Sequence, residues 1–397
     1  MKTSALKFTS LLLLVLYSVN LKAQDDINPI TTAVPFLLIA PDSRAGSMGD
    51  VGAATTPDAN SQYWNPAKYP FIDHDFGFSM SYSPWLRSLV NDINLAYLSG
   101  YMRINNMSSV SASLRYFSMG EIQFTDKVGN DLGTYKPNEF AIDAAYSRLL
   151  GDNFSAAVAI RYINSNLTAG QNVGGQQTQV GQSVAADVAM YYRKKFKFND
   201  TKMEFALGLN ISNIGAKISY SESLERDFIP TNFRFGPSLA IDLDKYNKIT
   251  IAVDINKLLV PTPPIYAEDS AGNAIPDGDG WWVIDKGEDP RRSVGNAIFT
   301  SWSDAPGGFS EELKEFYIGS GIEYAYDQKF FIRGGYFYEN EEKGNRKYFT
   351  LGAGFKYNVF ALDFSYLIPT TQRNPMENTV RFTLVFDFNR STGSSEN

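Results

Sequence analysis

A two-residue alternation of apolar and polar side chains constrains this chain more than any other feature, and it recurs from about residue 76 to the end. In the segment 249–255 (ITIAVDI), every odd-numbered residue is isoleucine or valine, and Asp254 lies on the opposite face. The same pattern, again with an aspartate in mid-segment, appears at 140–146 and 360–366. Side chains of a β-strand point alternately to opposite faces, so these segments predict strands with one apolar and one polar face.

The connections between the predicted strands alternate between short and long. Fourteen strands are predicted, at 75–83, 92–102, 107–119, 138–150, 154–165, 181–197, 203–213, 232–243, 248–256, 312–325, 329–339, 347–357, 359–368 and 378–388. Connections after even-numbered strands are tight and mostly rich in Asp and Asn, whereas most after odd-numbered strands are long, as at 120–137 and 257–311. Short turns at one end and long loops at the other are typical of outer-membrane barrels, whose short turns face the periplasm. The sequence therefore predicts an all-β fold, a transmembrane antiparallel β-barrel over 75–388.

The chain offers no alternative way to cross a membrane after its first residues. The longest apolar run there, 33–40 (AVPFLLIA), contains a proline and is far shorter than the roughly 18 residues of a spanning helix. Open strands cannot satisfy their backbone groups in lipid, so a membrane location requires a closed barrel. A basic start and the apolar run 11–17 (LLLLVLY) predict a secretory signal peptide over 1–23, cleaved after Ala23.

Composition excludes several classes of protein. The chain has no cysteine, so neither disulfides nor thiolate metal sites contribute to its fold. Its formal charge is −7, and it becomes −10 when Lys2, Lys7 and Lys22 are removed with the predicted signal peptide. An acidic chain argues against nucleic acid as a partner. The 28 phenylalanines and 23 tyrosines fit a barrel with aromatic girdles, surrounded by outer-membrane lipid.

The last predicted strand indicates which face meets lipid. In 380–388 (VRFTLVFDF), the residues expected to face lipid are Phe382, Leu384, Phe386 and Phe388. Those expected to face the lumen are Arg381, Thr383 and Asp387. Together with Asp143, Asp254 and Asp363, they predict a polar lumen. A terminal strand that ends on an aromatic residue resembles the signal read by barrel-assembly machinery, although a polar tail, 389–397, follows it here.

The segment 24–74 does not read as strand. It places Gly46, Gly49 and Gly52 three residues apart among alanines, and small residues allow backbone to pack closely against a wall. Phe36 and Trp64 argue against a disordered tail, because disordered segments are poor in such residues. A barrel of this size otherwise leaves a pore. We expect this segment to be a plug in the lumen.

Two runs in the predicted plug resemble a known family. The run 36–49 (FLLIAPDSRAGSMG), with Arg44, Gly46 and Gly49, is followed by 60–67 (NSQYWNPA), with Asn65 and Pro66. Together they resemble the N-terminal signature of the PorV (LptO) family of the type IX secretion system. The Asn-Pro-Ala part alone is shared with the wider FadL-like barrel superfamily. The resemblance extends over nearly the whole chain after the signal peptide.

The resemblance implies a function that composition does not. Members of the PorV family act as non-enzymatic shuttles that receive secreted cargo, through its C-terminal domain, from an SprA-type (Sov-type) translocon. They deliver that cargo to a sortase-containing attachment complex at the cell surface. The alternative is a FadL-like channel for hydrophobic small molecules, which the predicted polar lumen disfavours.

Catalytic and metal-binding chemistry has little support. The only histidine, His74, lies between two aspartates near the predicted start of the barrel, where a solvated turn is preferred to an acid–base role. The glycine-rich stretch 170–175 lacks the lysine and helix of a phosphate loop. Carboxylates cluster in the longest loop, where a solvated loop is preferred to calcium: Asp277, Asp279, Asp285, Glu288 and Asp289. No enzyme activity, cofactor or metal is predicted.

The loop 257–311 is the predicted partner surface. It contains three of the five tryptophans of the chain and several prolines: Pro261, Pro263, Pro264, Trp281, Trp282 and Trp302. Tryptophan is enriched at binding hot spots, and proline limits the entropy cost of ordering a loop on binding. Alternatively, these tryptophans anchor the loop on the barrel rim or lie at the level of the lipid headgroups.

Overall fold

The structure is a computed structural model that describes residues 27–390, apart from 88, 89, 91, 126, 127, 130, 169–171, 174, 175, 222–225, 279, 372 and 373. The predicted signal peptide, most of the predicted polar tail, much of the glycine-rich stretch 170–175 and Asp279 lie outside the described residues.

Fourteen antiparallel strands form one closed barrel, each paired with its neighbours in chain order. They are β1 (Phe76–Pro84), β2 (Ile93–Arg103), β3 (Ser108–Met119), β4 (Asn138–Gly151), β5 (Phe154–Asn166), β6 (Gly181–Phe198), β7 (Thr201–Gly215), β8 (Asn232–Asp242), β9 (Asn247–Leu258), β10 (Tyr317–Tyr326), β11 (Phe330–Tyr338), β12 (Lys347–Tyr357), β13 (Phe360–Pro369) and β14 (Val380–Phe388). The barrel closes where β1 pairs with β14, from Phe76 opposite Phe388 to Tyr82 opposite Phe382. The predicted strand number is confirmed.

The two faces of the wall differ as the alternation predicts. On β5, Ile160 points outward and is 68% exposed, whereas its neighbour Arg161 is buried inside the barrel. Arg161 forms ion pairs there with Asp143 (2.5 Å) and Asp187 (3.0 Å) on the adjacent strands. The last strand follows the same rule: Arg381, Thr383 and Asp387 are buried, and Phe382 is exposed on the outside. The apolar face is therefore the outer face.

Connections at one end of the barrel, here called the short-turn end, are tight. Asn199 (φ 45°) and Asp200 (φ 65°) form the β6–β7 turn, and Asn358 (φ 54°) lies in the β12–β13 turn. Asn and Asp tolerate this left-handed backbone better than most residues, which explains their presence there. Aromatic rings lie at the same end of the barrel, as where Phe76 at the start of β1 stacks on Phe388 at the end of β14 at 5.1 Å. Such rings mark the membrane surface of a barrel.

The opposite end, here called the long-loop end, contains structure that alternation did not predict. Three two-stranded ribbons lie in the loops: Ile122–Thr125 with Asp131–Tyr135, Asn172–Val173 with Gln176–Gln177, and Ile265–Tyr266 with Ile284–Lys286.

The loop between β9 and β10, residues 259–316, also contains two helices, Val294–Thr300 and Phe309–Lys314. The prediction that the tenth strand begins at residue 312 was wrong: it begins at Tyr317, because residues 309–314 form a short helix that has Glu311 and Glu312 in its first turn. The other predicted strand bounds agree to within two residues.

The N-terminal segment 27–75 contains only short helices. They are α1 (Ser43–Gly46) and α2 (Ser61–Trp64), and the 3₁₀ turns Pro35–Leu38 and Pro66–Phe71. The two helices of the 259–316 loop are named α3 (Val294–Thr300) and α4 (Phe309–Lys314). Among the described residues, no helix is long and apolar enough to cross a membrane.

A charge placed on the outer face tests the assignment of the two faces. We expect Ile160→Arg to lower the free energy of unfolding by about 2–4 kcal/mol, because an arginine there meets hydrocarbon. Denaturant titration of the protein folded into lipid vesicles measures this change. Asn105→Arg in the β2–β3 turn is the control and should have little effect. An equally small effect of Ile160→Arg would contradict the assignment.

Candidate functional site

The N-terminal segment runs through the barrel from one end to the other. Near its start, the Asn28 backbone N–H donates to the Glu342 carbonyl (3.0 Å), and the Asn28 side chain donates to the Pro263 carbonyl (3.1 Å). Both partners belong to loops at the long-loop end. At the other end, the Asp75 N–H donates to the Phe388 carbonyl (3.0 Å), where β14 ends. Most residues between these points are buried.

Arg44 is the central charged anchor of the segment. Its guanidinium donates to both Glu323 oxygens (3.0 and 3.1 Å) on β10, and it pairs with Asp58 (2.9 Å) within the segment. Glu323 also accepts from Arg333 (2.6 Å) on β11, which in turn pairs with Asp363 (2.5 Å) on β13. One connected network of buried charges therefore joins the segment to three strands.

Gly49 allows the segment to touch the wall. Its φ of +71° is a left-handed conformation that side chains rarely adopt. A Cβ there would lie 2.6 Å from the carbonyl oxygens of Ser320 and Tyr336. Across the contact, a Cβ on Gly335 of β11 would lie 2.2 Å from the Gly49 nitrogen. The backbone N–H of Gly49 donates to Thr350 Oγ1 (2.9 Å) on β12. Glycine on both sides permits this close approach.

Asn65 connects two turns of the segment to the wall. Its amide nitrogen donates to the carbonyls of Ala53 (3.0 Å) and Met190 (2.9 Å), and its oxygen caps the Ala67 N–H (3.0 Å). Pro66 then begins the 3₁₀ turn that leads toward the short-turn end.

Asp254 holds the opposite side of the segment through its side chain, which accepts from the N–H groups of Gly52 and Ala53 (2.9 Å each). The buried mid-strand aspartate that marked 249–255 is therefore a hydrogen-bond acceptor for backbone inside the barrel.

All five residues of the predicted plug motif thus lie inside the barrel. Arg44 forms an ion pair with the wall, and Gly46 and Gly49 have no side chain that would block the close approach to the wall. Asn65 caps the 3₁₀ turn that Pro66 begins. Gly46 packs against Arg381 of β14, whose guanidinium donates to the Gly46 carbonyl (3.3 Å). Sequence reasoning did not find the wall partners, because Glu323 and Arg333 lie almost 300 residues away in the chain.

A cavity of about 770 Å³ lies at the short-turn end, between the segment and the wall. Charged side chains from both sides line it, among them Asp58, Arg193, Lys248, Glu323 and Lys356. An apolar ligand would leave these charges without water or a partner, at a substantial free-energy cost. The cavity therefore suits water and ions better than a hydrocarbon.

The loop 259–316 is fastened to the barrel by buried charges. Lys257, at the end of β9, pairs with Glu312 (3.0 Å) and with Glu315 on and after α4. Glu315 also accepts from Lys343 (3.1 Å) in the β11–β12 loop, which pairs with Glu311 (2.5 Å). The loop is therefore held in one position across two neighbouring connections.

The structure places the predicted loop residues in two groups. Pro261 and Pro264 are buried, and Pro263 is partly buried, so the prolines shape the loop rather than present a surface. Trp281 stacks beneath the Arg291 guanidinium at 4.5 Å, and Trp282 is exposed.

Trp302 packs edge-on against Phe233 on the outer face of β8 at 5.3 Å. This contact agrees with the alternative that Trp302 anchors the loop on the rim.

Three apolar side chains of the loop were missed by sequence reasoning. Phe299 is 80% exposed at the end of α3, and Phe309 is 76% exposed at the start of α4. Leu313 is also exposed, one helical turn after Phe309 and on the same side of α4. The helices were not predicted, so no periodicity pointed to these residues. We call Phe299, Phe309 and Leu313 the helix patch.

Three of the residues weighed for catalysis or metal binding, His74, Glu288 and Asp289, form ordinary surface contacts. His74 Nδ1 lies 3.2 Å from Asn389 Oδ1 on the exposed surface. Asp289 pairs with Arg291 (2.8 Å), and Glu288 pairs with Arg292 (3.0 Å). Within the described residues, no cluster of His, Asp or Glu has the geometry of a metal site.

A closed sheet with an apolar exterior, aromatic rims and a charged interior defines an integral β-barrel protein of the outer membrane. The family described as "Type IX secretion system protein PorV" matches residues 22–265, more than half of the chain. The chain belongs to the PorV family, and it is thereby an outer-membrane component of the type IX secretion system.

Three of the solved structures that are similar to this chain are described as follows. The toluene transporter TodX of P. putida is 10% identical, with a TM-score of 0.48 over 92% of this chain and 100% of that one. The toluene transporter TbuX of Ralstonia pickettii is also 10% identical, with a TM-score of 0.44 over 87% and 98%. A Pseudomonas aeruginosa FadL homologue is 10% identical, with a TM-score of 0.42 over 91% and 99%. No curated protein matches the chain.

Removing the central anchor should loosen the segment. We expect Arg44→Met to leave Glu323 and Asp58 without their shared cation and to destabilise the packed segment by about 3–5 kcal/mol. Hydrogen exchange of the backbone amides of Gly49, Gly52 and Ala53 should then accelerate. Arg291→Met removes an exposed ion pair of the 259–316 loop and serves as the control. Unchanged exchange in Arg44→Met would contradict the anchoring role.

The loop should also respond to pH through Asp304. Burial raises the pKa of the Asp304 carboxyl from 3.8 to about 6, although the Arg292 guanidinium lies 3.7 Å away. In the unfolded loop the carboxyl ionises near pH 4, whereas in the folded loop it stays protonated until about pH 6. Its contribution to stability is therefore lost as pH rises from about 4 to 6, and it stays constant above that.

Amide exchange over 293–316, corrected for intrinsic rates and compared with Asp304→Asn, isolates this contribution. The variant cannot ionise, so the wild type should lose protection relative to it across that window. A relative gain of protection as pH rises from 4 to 6 would contradict the assignment.

Proposed function

We propose that this chain is a non-enzymatic shuttle of the type IX secretion system. In this role it binds the C-terminal domain of secreted cargo at an SprA-type (Sov-type) translocon. It then delivers the cargo to a sortase-containing attachment complex. Membership of the PorV family supports this proposal at the level of the secretion system. The main observation in support of the proposal is the exposed helix patch. It lies on a loop that buried ion pairs hold in one position.

The helix patch has the properties of a protein-binding surface. Two phenylalanines and a leucine are exposed to solvent on short helices, and large exposed apolar groups mark interaction sites. The buried ion pairs of Lys257 and Lys343 hold α4 in place before any partner arrives. A surface that is already ordered loses little conformational entropy on binding. Trp282, which is exposed in the same loop, is proposed as a further contact.

We further propose that the N-terminal segment is a plug. The segment crosses from the long-loop end to the short-turn end and is tied to the wall by charged and backbone hydrogen bonds. A lumen occupied in this way leaves no route for a folded cargo domain. The partner surface is therefore proposed to lie on the loops, outside the lumen.

The alternative of a channel for hydrophobic small molecules receives less support from this interior. The lumen is lined by paired charges such as Arg161 with Asp143, and Arg333 with Asp363. Moving an apolar molecule past these groups would break hydrogen bonds without replacing them.

Substitution in the helix patch tests the shuttle proposal. We expect Phe299→Ser with Phe309→Ser to weaken binding of a purified cargo C-terminal domain by about tenfold or more, as for hot-spot residues. In cells, cargo with C-terminal domains should then fail to reach the surface. The matched control is Ile265→Ser with Ile275→Ser, two exposed residues of the same loop outside its helices.

Deletion of the whole chain provides the decisive case. The shuttle proposal is lost if a deletion strain exports and attaches proteins with C-terminal domains normally. If deletion blocks export but the double phenylalanine variant does not, the partner surface lies elsewhere on the chain.

A further inference from the structure

One edge of the hairpin between β6 and β7 has no neighbouring strand among the described residues. Pairing between β5 and β6 ends where Phe154 lies opposite Tyr192, and the last contact joins the Arg193 N–H to the Asn153 carbonyl (2.8 Å). Strand β6 continues to Phe198, paired only with β7. We call residues 194–198 of β6 the free edge. At about 3.3 Å per residue it is roughly 17 Å long, which is enough for a short strand to pair with it.

The free edge presents backbone groups that are available for pairing. Successive residues of a strand direct their N–H and C=O groups to opposite sides, so those of Lys195 and Lys197 point to the same side as the Arg193 N–H. Within the described part of the chain, neither lysine forms a backbone hydrogen bond on that side. Unpaired backbone is not tolerated in hydrocarbon, so the free edge lies in water beyond the bilayer. At the short-turn end of an outer-membrane barrel, that water is the periplasm.

The two faces of the free edge differ in chemistry. Lys195 and Lys197 point inward and line the cavity at the short-turn end. Phe196 and Phe198 point outward and are 39% and 62% exposed. A strand added to this edge would place its side chains alternately beside the lysines and beside the phenylalanines, because side chains alternate between the faces of a sheet.

Positive charge on the inner face exceeds what the neighbouring acids balance. Lys195 shares the Glu204 carboxylate with Arg193, at 3.8 and 3.9 Å. Lys197 lies directly opposite Lys202 in the β6–β7 ladder, and neither has an acidic partner within 4 Å among the described residues. Like charges directly opposite on a sheet destabilise it. Carboxylates beside Lys195 and Lys197 would therefore relieve a repulsion that the hairpin itself does not.

The whole hairpin is also more positive than other short turns. Residues 193–204 (RKKFKFNDTKME) contain five cations and two acids, a net charge of +3. The β8–β9 turn, 242–248, contains two lysines and two aspartates and is neutral. The β10–β11 turn, 326–330, contains one of each and is also neutral. In a chain that is acidic overall, this hairpin is the short turn that attracts an acidic partner.

We propose that the free edge of β6 is a docking site for an extended segment of a periplasmic protein, in which acidic and apolar side chains alternate. The segment adds to the sheet as a strand, and its backbone pairs with the N–H and C=O groups of Lys195 and Lys197. Its acidic side chains lie beside these lysines on the inner face. Its apolar side chains lie beside Phe196 and Phe198 on the outer face. Backbone pairing provides affinity, and the alternation provides specificity.

The lysines select which strand can be added. If two copies of the free edge paired with each other, lysine would face lysine, and like charges opposite each other on a sheet are unfavourable. Lysine on an exposed edge is a common protection against such self-association. A strand with acidic residues at the facing positions meets attraction instead. The same side chains therefore exclude a second copy of this chain and favour an acidic segment.

Amide exchange of the full-length protein, labelled with nitrogen-15 lysine in lipid nanodiscs, tests the proposal. The probe is a short blocked peptide of alternating glutamate and valine. The control peptide has the same composition, with all its glutamates before its valines. We expect the alternating peptide to bind more tightly and to slow exchange of the Lys195 and Lys197 amides by about fivefold or more. The Lys194 amide should not change, because it points toward β7.

Charge reversal tests the role of the lysines. Lys195→Glu with Lys197→Glu should weaken binding of the glutamate–valine peptide by about tenfold or more, and should favour a peptide of alternating lysine and valine instead. The matched control is Lys136→Glu with Lys286→Glu, which makes the same charge change at exposed sites at the long-loop end. This control should bind the glutamate–valine peptide as the wild type does.

A proline tests the role of the backbone. Lys197→Pro removes an N–H from the free edge, a change that an unpaired strand edge tolerates. It should weaken binding of the glutamate–valine peptide more than Lys197→Gln, which removes only the charge.

Other occupants of the free edge would give different results. Equal binding of the alternating and the control peptide would identify a site for soluble polyanions. Slow exchange of the Lys197 amide that depends on protein concentration, without peptide, would identify a second copy of this chain. Slow exchange that appears only with phosphatidylglycerol in the nanodisc would identify a lipid. Each of these results overturns the proposal, as does charge reversal that leaves peptide binding unchanged.

Discussion

Lipid offers no hydrogen-bonding partner to a peptide group, so each backbone N–H and C=O within the bilayer must be paired by the protein itself. In this chain the requirement is met by fourteen strands and by the closure of β1 on β14. Closure leaves no free edge within the bilayer and orders the rest of the structure. It forces alternate residues outward and inward, and it sends every connection to one end or the other.

Closure also creates an interior that must be filled. Many inward residues are polar or charged, and the N-terminal segment meets them with Arg44, with small residues and with its own backbone N–H groups. Several buried charges form a connected chain of alternating sign, from Asp58 through Arg44 and Glu323 to Arg333. Removing one member leaves another charge buried and unpaired, so the network specifies a single position for the segment.

The two ends of the barrel are used differently. The long-loop end has a large loop, fastened by Lys257 and Lys343, in which the three residues of the helix patch are exposed. The short-turn end has one long hairpin with separate aromatic and cationic faces. Membership of the PorV family places the chain in the type IX secretion system.

The sequence by itself determined the barrel, its strand number and its faces, because alternation and loop length are local properties of the chain. Asp254 and Arg381 could be placed inside from their strands alone. It also pointed to the residues of the N-terminal motif, although it did not say what they touch. Only the tertiary structure joined Arg44 to Glu323, since that contact depends on how β10 is positioned around the closed barrel.

The tertiary structure likewise decided the course of the loop 259–316. Ion pairs from β9 and from the β11–β12 loop hold α4, which carries Phe309, and no periodicity along the chain encodes such distant partners. Of the prolines named in the predicted partner surface, Pro261 and Pro264 are buried and Pro263 is partly buried, which the sequence did not predict. Each strand in lipid must pair its backbone groups with its neighbours, and this requirement shows in the local sequence. The positions of the 259–316 loop and of the N-terminal segment depend instead on contacts that form only after the barrel has closed.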